Sequence, residues 1–147
     1  MAQPVCAASG EPAAELAGYI SAWTQDCRGS ACSLPKPGER NRPVAASLGA
    51  PSSPGEAAAA SVTETLRLGE AEIKADITFY AICPYGGKNA TCPGRYFQAQ
   101  ISLSGAAHAF CAASVNAEDF MPFPVMMCAG VTPGGARAGI TLHRLPL

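Results

Sequence analysis

The sequence is poor in charged residues, in histidine and in long apolar runs, and each shortage argues against a class of protein. Only 14% of its 147 residues are charged, and ten Lys and Arg against eleven Asp and Glu give a formal net charge of -1. Binding nucleic acid through its phosphates needs a basic excess or a basic stripe, so we expect no nucleic-acid partner. No apolar run approaches the roughly 18 residues that span a bilayer, so we expect no transmembrane segment.

Motifs for metal, redox and nucleophilic chemistry are also absent. The chain holds two histidines, His108 and His143, and none of its seven cysteines forms a C-x-x-C pair. Structural zinc sites usually show C-x-x-C or H-x-x-x-H spacing, and redox dithiols show C-x-x-C. No G-x-S-x-G motif occurs, and the glycine pairs lie in predicted turns between strands, where a phosphate loop does not form. We therefore expect no cofactor, no metal and no enzymatic activity.

Seven cysteines without metal or redox spacing indicate a disulfide framework in an oxidising compartment. The first residues, Met1-Ala2-Gln3-Pro4, are followed by polar and small residues and not by the apolar region of a signal peptide. We therefore expect a secreted or periplasmic protein from which the signal peptide has been removed. Asn89 opens the sequon Asn89-Ala90-Thr91, which matters only in a eukaryotic source.

Three disulfides between cysteines that are neighbours along the chain give the simplest pairing. These local pairs are Cys27–Cys32, Cys83–Cys92 and Cys111–Cys128. The second pair would clamp the base of the loop at residues 84–94, and the third would join consecutive strands across a hairpin. This scheme leaves Cys6, which either stays free or bridges two copies into a homodimer. A competing arrangement ties Cys6 to Cys27 or Cys32.

The N-terminal part has the pattern of a helix followed by an irregular crossing. In residues 11–26, Leu16, Tyr19, Ile20 and Trp23 recur at helical spacing and form an apolar stripe. Residues 33–61 contain five prolines, which interrupt regular structure, so we expect an extended crossing segment.

From residue 62 onward the apolar residues alternate, which is typical of half-buried antiparallel strands. We predict six strands, at residues 62–68, 73–83, 96–104, 109–115, 125–131 and 139–145. The predicted fold is mainly β (α+β): an antiparallel meander forming a small sandwich or barrel, with one N-terminal helix and a Pro-rich crossing. We expect a single domain, 1–147, in which residues 1–61 form an arm on the β core of residues 62–147.

Two loops are candidate binding surfaces because they combine aromatic and polar side chains in exposed connections. In the first, on the Cys83–Cys92 clamp, the candidates are Tyr85, Lys88, Asn89 and Arg95; in the second, they are Phe120, Met121 and Phe123. A rigid loop costs little ordering entropy on binding, and aromatic and Met residues are enriched at interfaces. The competing interpretation is that the two phenylalanines pack under their loop and close one end of the sheet.

The sequence therefore favours a disulfide-braced, non-enzymatic binding module for an unidentified protein partner outside the cytoplasm, such as an inhibitor, immunity, adhesion or envelope-assembly protein. The alternative is a carrier for a small apolar ligand, with a barrel cavity lined by Phe79, Phe97, Ile101 and Met126. A weaker alternative is a carboxylate-based hydrolase that uses Glu64 or Glu118.

Overall fold

A computed structural model describes residues 14–49, 57–82, 96–115, 125–144 and 146, and all regular structure in these ranges is β-strand. The strands are β1 (Ala14–Gln25), β2 (Cys27–Arg28), β3 (Ala31–Cys32), β4 (Lys36–Pro37), β5 (Arg42–Leu48), β6 (Ala57–Leu68), β7 (Ala71–Ile82), β8 (Tyr96–Gly105), β9 (Ala109–Val115), β10 (Val125–Val131) and β11 (Arg137–His143). The mainly β, antiparallel prediction is confirmed. That the chain is one domain stays a prediction.

The predicted N-terminal helix is wrong, because Ala14–Gln25 is a strand at the centre of a sheet. Leu16 and Ile20 are four residues apart, a spacing that fits both a helix and one face of a strand. Tyr19 and Trp23 belong to the opposite face, which is also partly covered. A strand that is covered on both faces loses simple alternation, so its apolar pattern resembles a helical stripe.

The first sheet has five strands around β1. Its order is β10–β11–β1–β4, and β5 pairs with β1 beside β4. Tyr19 to Gln25 of β1 pair with β11, and Ala14 to Ile20 pair with β5. The Pro-rich stretch is therefore more than a crossing, because residues 42–48 of it complete this sheet and bury Val44, Ala46 and Leu48.

The second sheet is a four-stranded meander, β6–β7–β8–β9, as the alternation predicts. β6 begins at Ala57 and pairs with β7 along its whole length. Gly69 and Glu70 form the two-residue turn between them, and Gly69 has a φ of 65°. A positive φ at the first turn position is what a type II′ hairpin requires.

The hydrophobic core lies between the two sheets. Ile20, Leu48, Ile140 and Leu142 come from the first sheet; Leu66, Ile73, Ile77, Phe79 and Ile101 come from the second, and all are essentially inaccessible to solvent. The two sheets form no closed barrel within the described residues. The predicted carrier cavity is therefore not found there: Phe79, Phe97 and Ile101 pack in the core, and Met126 packs against it.

The chain changes sheet between β9 and β10, where the sequence predicted a hairpin. β9 is the edge of the four-stranded sheet and β10 is the edge of the five-stranded sheet. The predicted disulfide Cys111–Cys128 is confirmed, but it joins the two sheets and not two paired strands. Cys27–Cys32 is also confirmed and closes the β2–β3 hairpin. Cys6, Cys83 and Cys92 lie outside the described residues.

The corner between β4 and β5 connects the two sheets a second time. Gly38 N donates to Ala22 O at 2.8 Å, and a Cβ atom on Gly38 would lie 2.6 Å from Arg67 O of β6. Glu39 N donates to Arg67 O at 2.9 Å, and Arg67 N donates to Glu39 Oε1 at 3.1 Å. Only glycine allows this approach, so position 38 fixes how the corner lies against both sheets.

The two confirmed disulfides differ in the chain length that they close, which predicts different contributions to stability. Cys111–Cys128 closes a separation of 17 residues, and Cys27–Cys32 closes one of 5. We expect Cys111→Ala/Cys128→Ala to lower the free energy of unfolding by ~3 kcal/mol and Cys27→Ala/Cys32→Ala by ~2 kcal/mol. Urea denaturation of both variants measures the difference; a larger loss in the hairpin variant would contradict the inter-sheet role of Cys111–Cys128.

Candidate functional site

The binding residues that the sequence predicts all lie outside the described residues. Tyr85, Lys88, Asn89 and Arg95 fall in residues 83–95, and Phe120, Met121 and Phe123 fall in residues 116–124. Their roles stay predictions. The candidate site described below lies elsewhere, on the face of the five-stranded sheet that points away from the core.

This outer face is unusual because several of its polar and aromatic side chains are buried. Ser21, Trp23, Thr141 and His143 each expose at most 9% of their surface, although the core lies on the other side of the sheet. Strand register aligns the outer face in rows: Ser21, Thr141 and Met127 form one row, and Gln25, Arg137 and Val131 form another. Hydrogen bonds must compensate for the burial of these polar groups, since burying a polar group without a partner costs free energy.

The row between these two contains Trp23 and a closely packed glycine. Trp23 lies opposite Gly139, and Gly139 lies opposite Ala129 at the edge strand. On the other side, Trp23 pairs with Pro37 of β4. A Cβ atom on Gly139 would lie 2.8 Å from the Cβ atom of Ala129, so glycine at this position lets β10 pack closely against β11 beside the indole. The guanidinium carbon of Arg137 lies 5.5 Å from the centre of the Trp23 ring system, within cation–π range.

A cleft of about 450 Å³ opens on this face, and we call it the outer-face cleft. Its lining residues come from β1, β4, β10, β11 and the segment around β4: Ser21, Ala22, Trp23, Gln25, Pro35, Pro37, Arg40, Met127, Arg137 and Thr141. Trp23, the two prolines and Met127 make its walls largely apolar. The volume lies in the usual range of ligand pockets, which combine apolar walls with a few polar groups.

A buried hydrogen bond joins Ser21 and His143 below this cleft. Ser21 Oγ lies 2.9 Å from His143 Nε2, and Asn41 N donates to the same oxygen at 3.0 Å. His143 also stacks on Tyr19, with ring centroids 5.9 Å apart. A serine on a histidine nitrogen is the arrangement of nucleophilic catalysis. Here, however, the hydroxyl is buried and also accepts the Asn41 N–H, so it holds the β4–β5 corner on the sheet.

Asn41 itself occupies a conformation that few residues tolerate. Its φ is 59°, in the left-handed region, where Asn is several-fold enriched among non-glycine residues. The hydrogen bond from its N–H to Ser21 Oγ therefore fixes a turn that the sequence can form at low cost.

The two cationic groups of the cleft differ from the cations nearby, which pair with carboxylates. Lys36 pairs with Asp26 at 3.3 Å, and Arg42 pairs with two carboxylates. Arg40 and Arg137 pair with no carboxylate in the part of the chain that the structure describes; Arg137 donates only to the Gln25 amide oxygen, at 3.1 Å. The cleft thus carries two guanidinium groups whose charge is not neutralised by an ion pair among these residues.

Trp23 carries a buried hydrogen-bond donor that is also unpaired among the described residues. Its indole Nε1 is shielded from solvent and has no acceptor among the described residues. A buried donor without an acceptor costs roughly 1–3 kcal/mol, so native proteins seldom leave one unexplained.

A separate cluster of charges contains Glu64, one of the two residues of the carboxylate-hydrolase alternative; the other, Glu118, lies outside the described residues. Glu64 points inward, as its parity in β6 predicts, and its Oε1 accepts from Arg42 at 3.0 Å. Glu39 accepts from Arg42 Nε at 2.8 Å. The hydrogen bond from the Arg42 side chain is the main cause that lowers the pKa of Glu39, and the bond from the Arg67 N–H adds to it, while burial opposes them.

A general acid in glycoside hydrolysis needs a raised pKa, whereas the pKa of Glu39 is lowered. The pKa of Arg42 is raised, mainly by its hydrogen bond to Glu39. Arg42 pairs with both Glu39 and Glu64, and these contacts join the β4–β5 corner to β6.

Sequence reasoning missed the outer-face cleft. Ser21 and His143 are separated by 122 positions, and only the pairing of β1 with β11 brings them together. The signal that could have found the cleft is the composition of β1 itself. Tyr19, Ser21 and Trp23 alternate with Ile20 and Ala22, which marks a second, partly polar face once the segment is taken as a strand.

No three His, Cys, Asp or Glu side chains come together as metal ligands would within the described ranges. A helix long and apolar enough to cross a membrane is likewise not found there. Comparisons of the chain with protein-family models, curated proteins and solved structures returned no match.

The Ser21–His143 bond predicts a stability effect. Ser21→Ala removes the acceptor of the partly buried Asn41 N–H and the hydroxyl that bonds the buried His143 Nε2. We expect the free energy of unfolding to fall by ~1–3 kcal/mol. Ser61→Ala is the control, because Ser61 Oγ bonds Thr78 at an exposed position, and it should change stability by less than ~0.5 kcal/mol. Equal effects of the two variants in urea denaturation would contradict the account.

The lowered pKa of Glu39 predicts how stability responds to acid. Since this pKa is lower in the folded state than in the unfolded chain, the contribution of Glu39 is complete above about pH 5 and is lost as the pH falls through ~4.3 and below. Glu39→Gln should therefore cost ~0.5–1 kcal/mol at pH 7 and should flatten the stability curve between pH 5 and pH 3, roughly.

The control for this variant is Glu70→Gln, which changes an exposed residue of the β6–β7 turn. Urea denaturation at a series of pH values measures both variants. The assignment is refuted if the acid-induced loss of stability is the same in Glu39→Gln as in the unchanged protein.

Proposed function

We propose that this protein is an exported, non-enzymatic binding module that recognises a protein partner outside the cytoplasm. The two disulfides support an oxidising environment, since such bonds form and persist outside the reducing cytosol. Secretion or residence in a periplasm is the form of export that fits them. The partner is held at the outer-face cleft.

The single observation that carries this proposal is the composition of the cleft. Its apolar walls surround two guanidinium groups without carboxylate partners in the described residues and a shielded indole N–H without an acceptor there. Trp and Arg, together with Met, are the residues most enriched at protein interfaces. Met127 exposes 61% of its surface at the edge of the cleft, so it is available for contact.

Binding accounts for this site better than catalysis does. The polar groups beside the cleft already have structural partners: Ser21 is bonded to Asn41 and His143, and Glu39 is bonded to Arg42. A catalytic base or acid needs a pKa tuned towards the working pH, whereas the pKa of Glu39 is moved away from neutrality.

The shape of the cleft also favours a protein over the small apolar ligand of the carrier alternative. Pockets for small molecules enclose most of the ligand's surface. The outer-face cleft opens across the sheet from Pro37 of β4 to Met127 of β10 and holds apolar and cationic groups side by side. Such an open, mixed surface suits side chains presented by a larger partner.

Affinity capture with two matched variants tests the proposal. Met127→Glu introduces a charge at the cleft, and Phe110→Glu introduces the same charge at an exposed apolar residue of the other sheet. With an extracytoplasmic fraction of the native source, we expect the unchanged protein and Phe110→Glu to capture the same discrete protein. Met127→Glu should reduce its recovery about tenfold or more. Equal capture by all three proteins, or no capture by the unchanged protein, would contradict the proposal.

A further inference from the structure

We infer that the free edge of β6, residues 57–65, pairs with the same edge of a second copy of this chain. The four-stranded sheets of the two copies then join into one continuous sheet across a twofold axis at Ser61. This goes beyond the proposed function, because both the surface and the partner differ from those of the outer-face cleft. Three features of β6 carry the inference: its unpaired backbone groups, its lack of edge protection and the order of its side chains.

The backbone of β6 carries a row of hydrogen-bonding groups that have no partner among the described residues. β6 lies at the edge of its sheet, and the N–H and C=O of Arg67 bond to Glu39 on the side away from β7. In an antiparallel strand this direction alternates from residue to residue. Every second residue before Arg67 therefore also directs its N–H and C=O to the free side. These residues are Thr65, Thr63, Ser61, Ala59 and Ala57.

This edge lacks the usual protection against pairing with another chain. Native sheets protect their edges with proline, charge or a bulge, because free backbone groups readily pair with a further strand. From Ala57 to Thr63, β6 contains neither a proline nor a charged residue, and its register with β7 has no bulge. Glu64 is turned inward and bonds to Arg42 at 3.0 Å, so its charge is neutralised within its own copy. A second strand can therefore approach this edge without meeting an unpaired charge.

The order of side chains along the edge fits a second copy of the same strand. Four alanines fill residues 57–60, and the larger side chains follow in residues 62–65. Antiparallel pairing about Ser61 places each larger side chain of one copy opposite an alanine of the other. The facing pairs are Val62 and Ala60, Thr63 and Ala59, Glu64 and Ala58, and Thr65 and Ala57. No like charges face each other, and large side chains meet small ones, so the edge is self-complementary, as a twofold interface requires.

The position of the β4–β5 corner selects this register. With Ser61 opposite Ser61, Ala57 lies opposite Thr65, and every residue with free backbone groups exchanges hydrogen bonds with the second copy. A register shifted towards Arg67 would bring the second strand against Glu39, which already occupies the N–H and C=O of Arg67. The corner therefore sets where the free edge ends.

Sedimentation equilibrium of the full chain over a range of concentrations tests the inference. We expect a reversible monomer–dimer equilibrium with a dissociation constant of ~10–100 μM. Denaturing electrophoresis without reductant separates this dimer from one bridged by Cys6, because the edge dimer runs there as a monomer. A protein that stays monomeric at ~500 μM, or a dimer that is entirely covalent, overturns the inference.

A proline at the axis tests the edge itself. Ser61→Pro removes an N–H that points to the free side, so it spares the bonds between β6 and β7 and blocks pairing in both copies. It should weaken dimerisation about tenfold or more. Ala112→Pro is the matched control, because Ala112 is an exposed residue of β9, the other edge of this sheet, and by the same alternation its N–H also points away from the sheet. It should dimerise as the unchanged protein does, and equal effects of the two prolines overturn the inference.

Two charge variants test the register and keep the inference testable if Ser61→Pro does not fold. Ser61→Lys and Ser61→Glu each place like charges directly opposite at the axis, so each should weaken its own dimer about 2–5-fold. An equal mixture of the two should form a heterodimer that is tighter than either homodimer. Ser102→Lys is the control, because Ser102 is exposed on the same face of the central strand β8, and it should dimerise as the unchanged protein does. A mixture that binds no more tightly than the separate variants overturns pairing about Ser61.

Discussion

The close packing at Gly38 is the constraint on which the rest of the structure depends. Its N–H is bonded to Ala22 of the five-stranded sheet, and its Cα faces the backbone of Arg67 in the four-stranded sheet at a distance that leaves no room for a side chain. The corner between β4 and β5 is thereby held against both sheets at once. Asn41 and Arg42 follow directly, so the buried bond to Ser21 and the ion pair to Glu64 are consequences of the same placement.

The outer-face cleft follows from this corner. The segment from Pro35 to Arg40 runs beside β1, where β4 pairs with Trp23 and Thr24, and it lines one side of the cleft. Trp23 and Ser21 of β1 are both buried on this face, next to that segment. The same segment thus contributes to stability, by bonding to both sheets, and to the proposed function, by forming one wall of the site.

The alternation of apolar and polar residues predicted the strands whose two faces differ in polarity. It did not identify β1, whose two faces do not differ in this way. Ile73, Ala75, Ile77 and Phe79 alternate with polar residues, and the meander from β6 to β9 lies where the period of two placed it. The apolar pattern of β1 resembles that of a helix because both of its faces are covered, so the face with Tyr19 and Trp23 carries apolar side chains as well.

Relations between distant segments could not be predicted. The move of β10 into the other sheet depends on where β1 lies, and no local pattern between Cys111 and Cys128 records it, although their pairing itself was predicted from proximity. The cleft could not be predicted for the same reason. Its residues on β1 and β11 come together only through the register of these two strands.

Acrylamide quenching of the Trp23 fluorescence tests the central claim most directly, namely that the Gly38 corner holds its segment against β1 and thereby shields Trp23. Trp23 exposes 9% of its surface, so the account predicts slow quenching in the unchanged protein. In Gly38→Val the corner is displaced, and quenching should rise severalfold at a temperature where circular dichroism still shows the β-strand signal. Quenching in the unchanged protein as fast as that of a free indole, or no difference between the two proteins, would contradict the account.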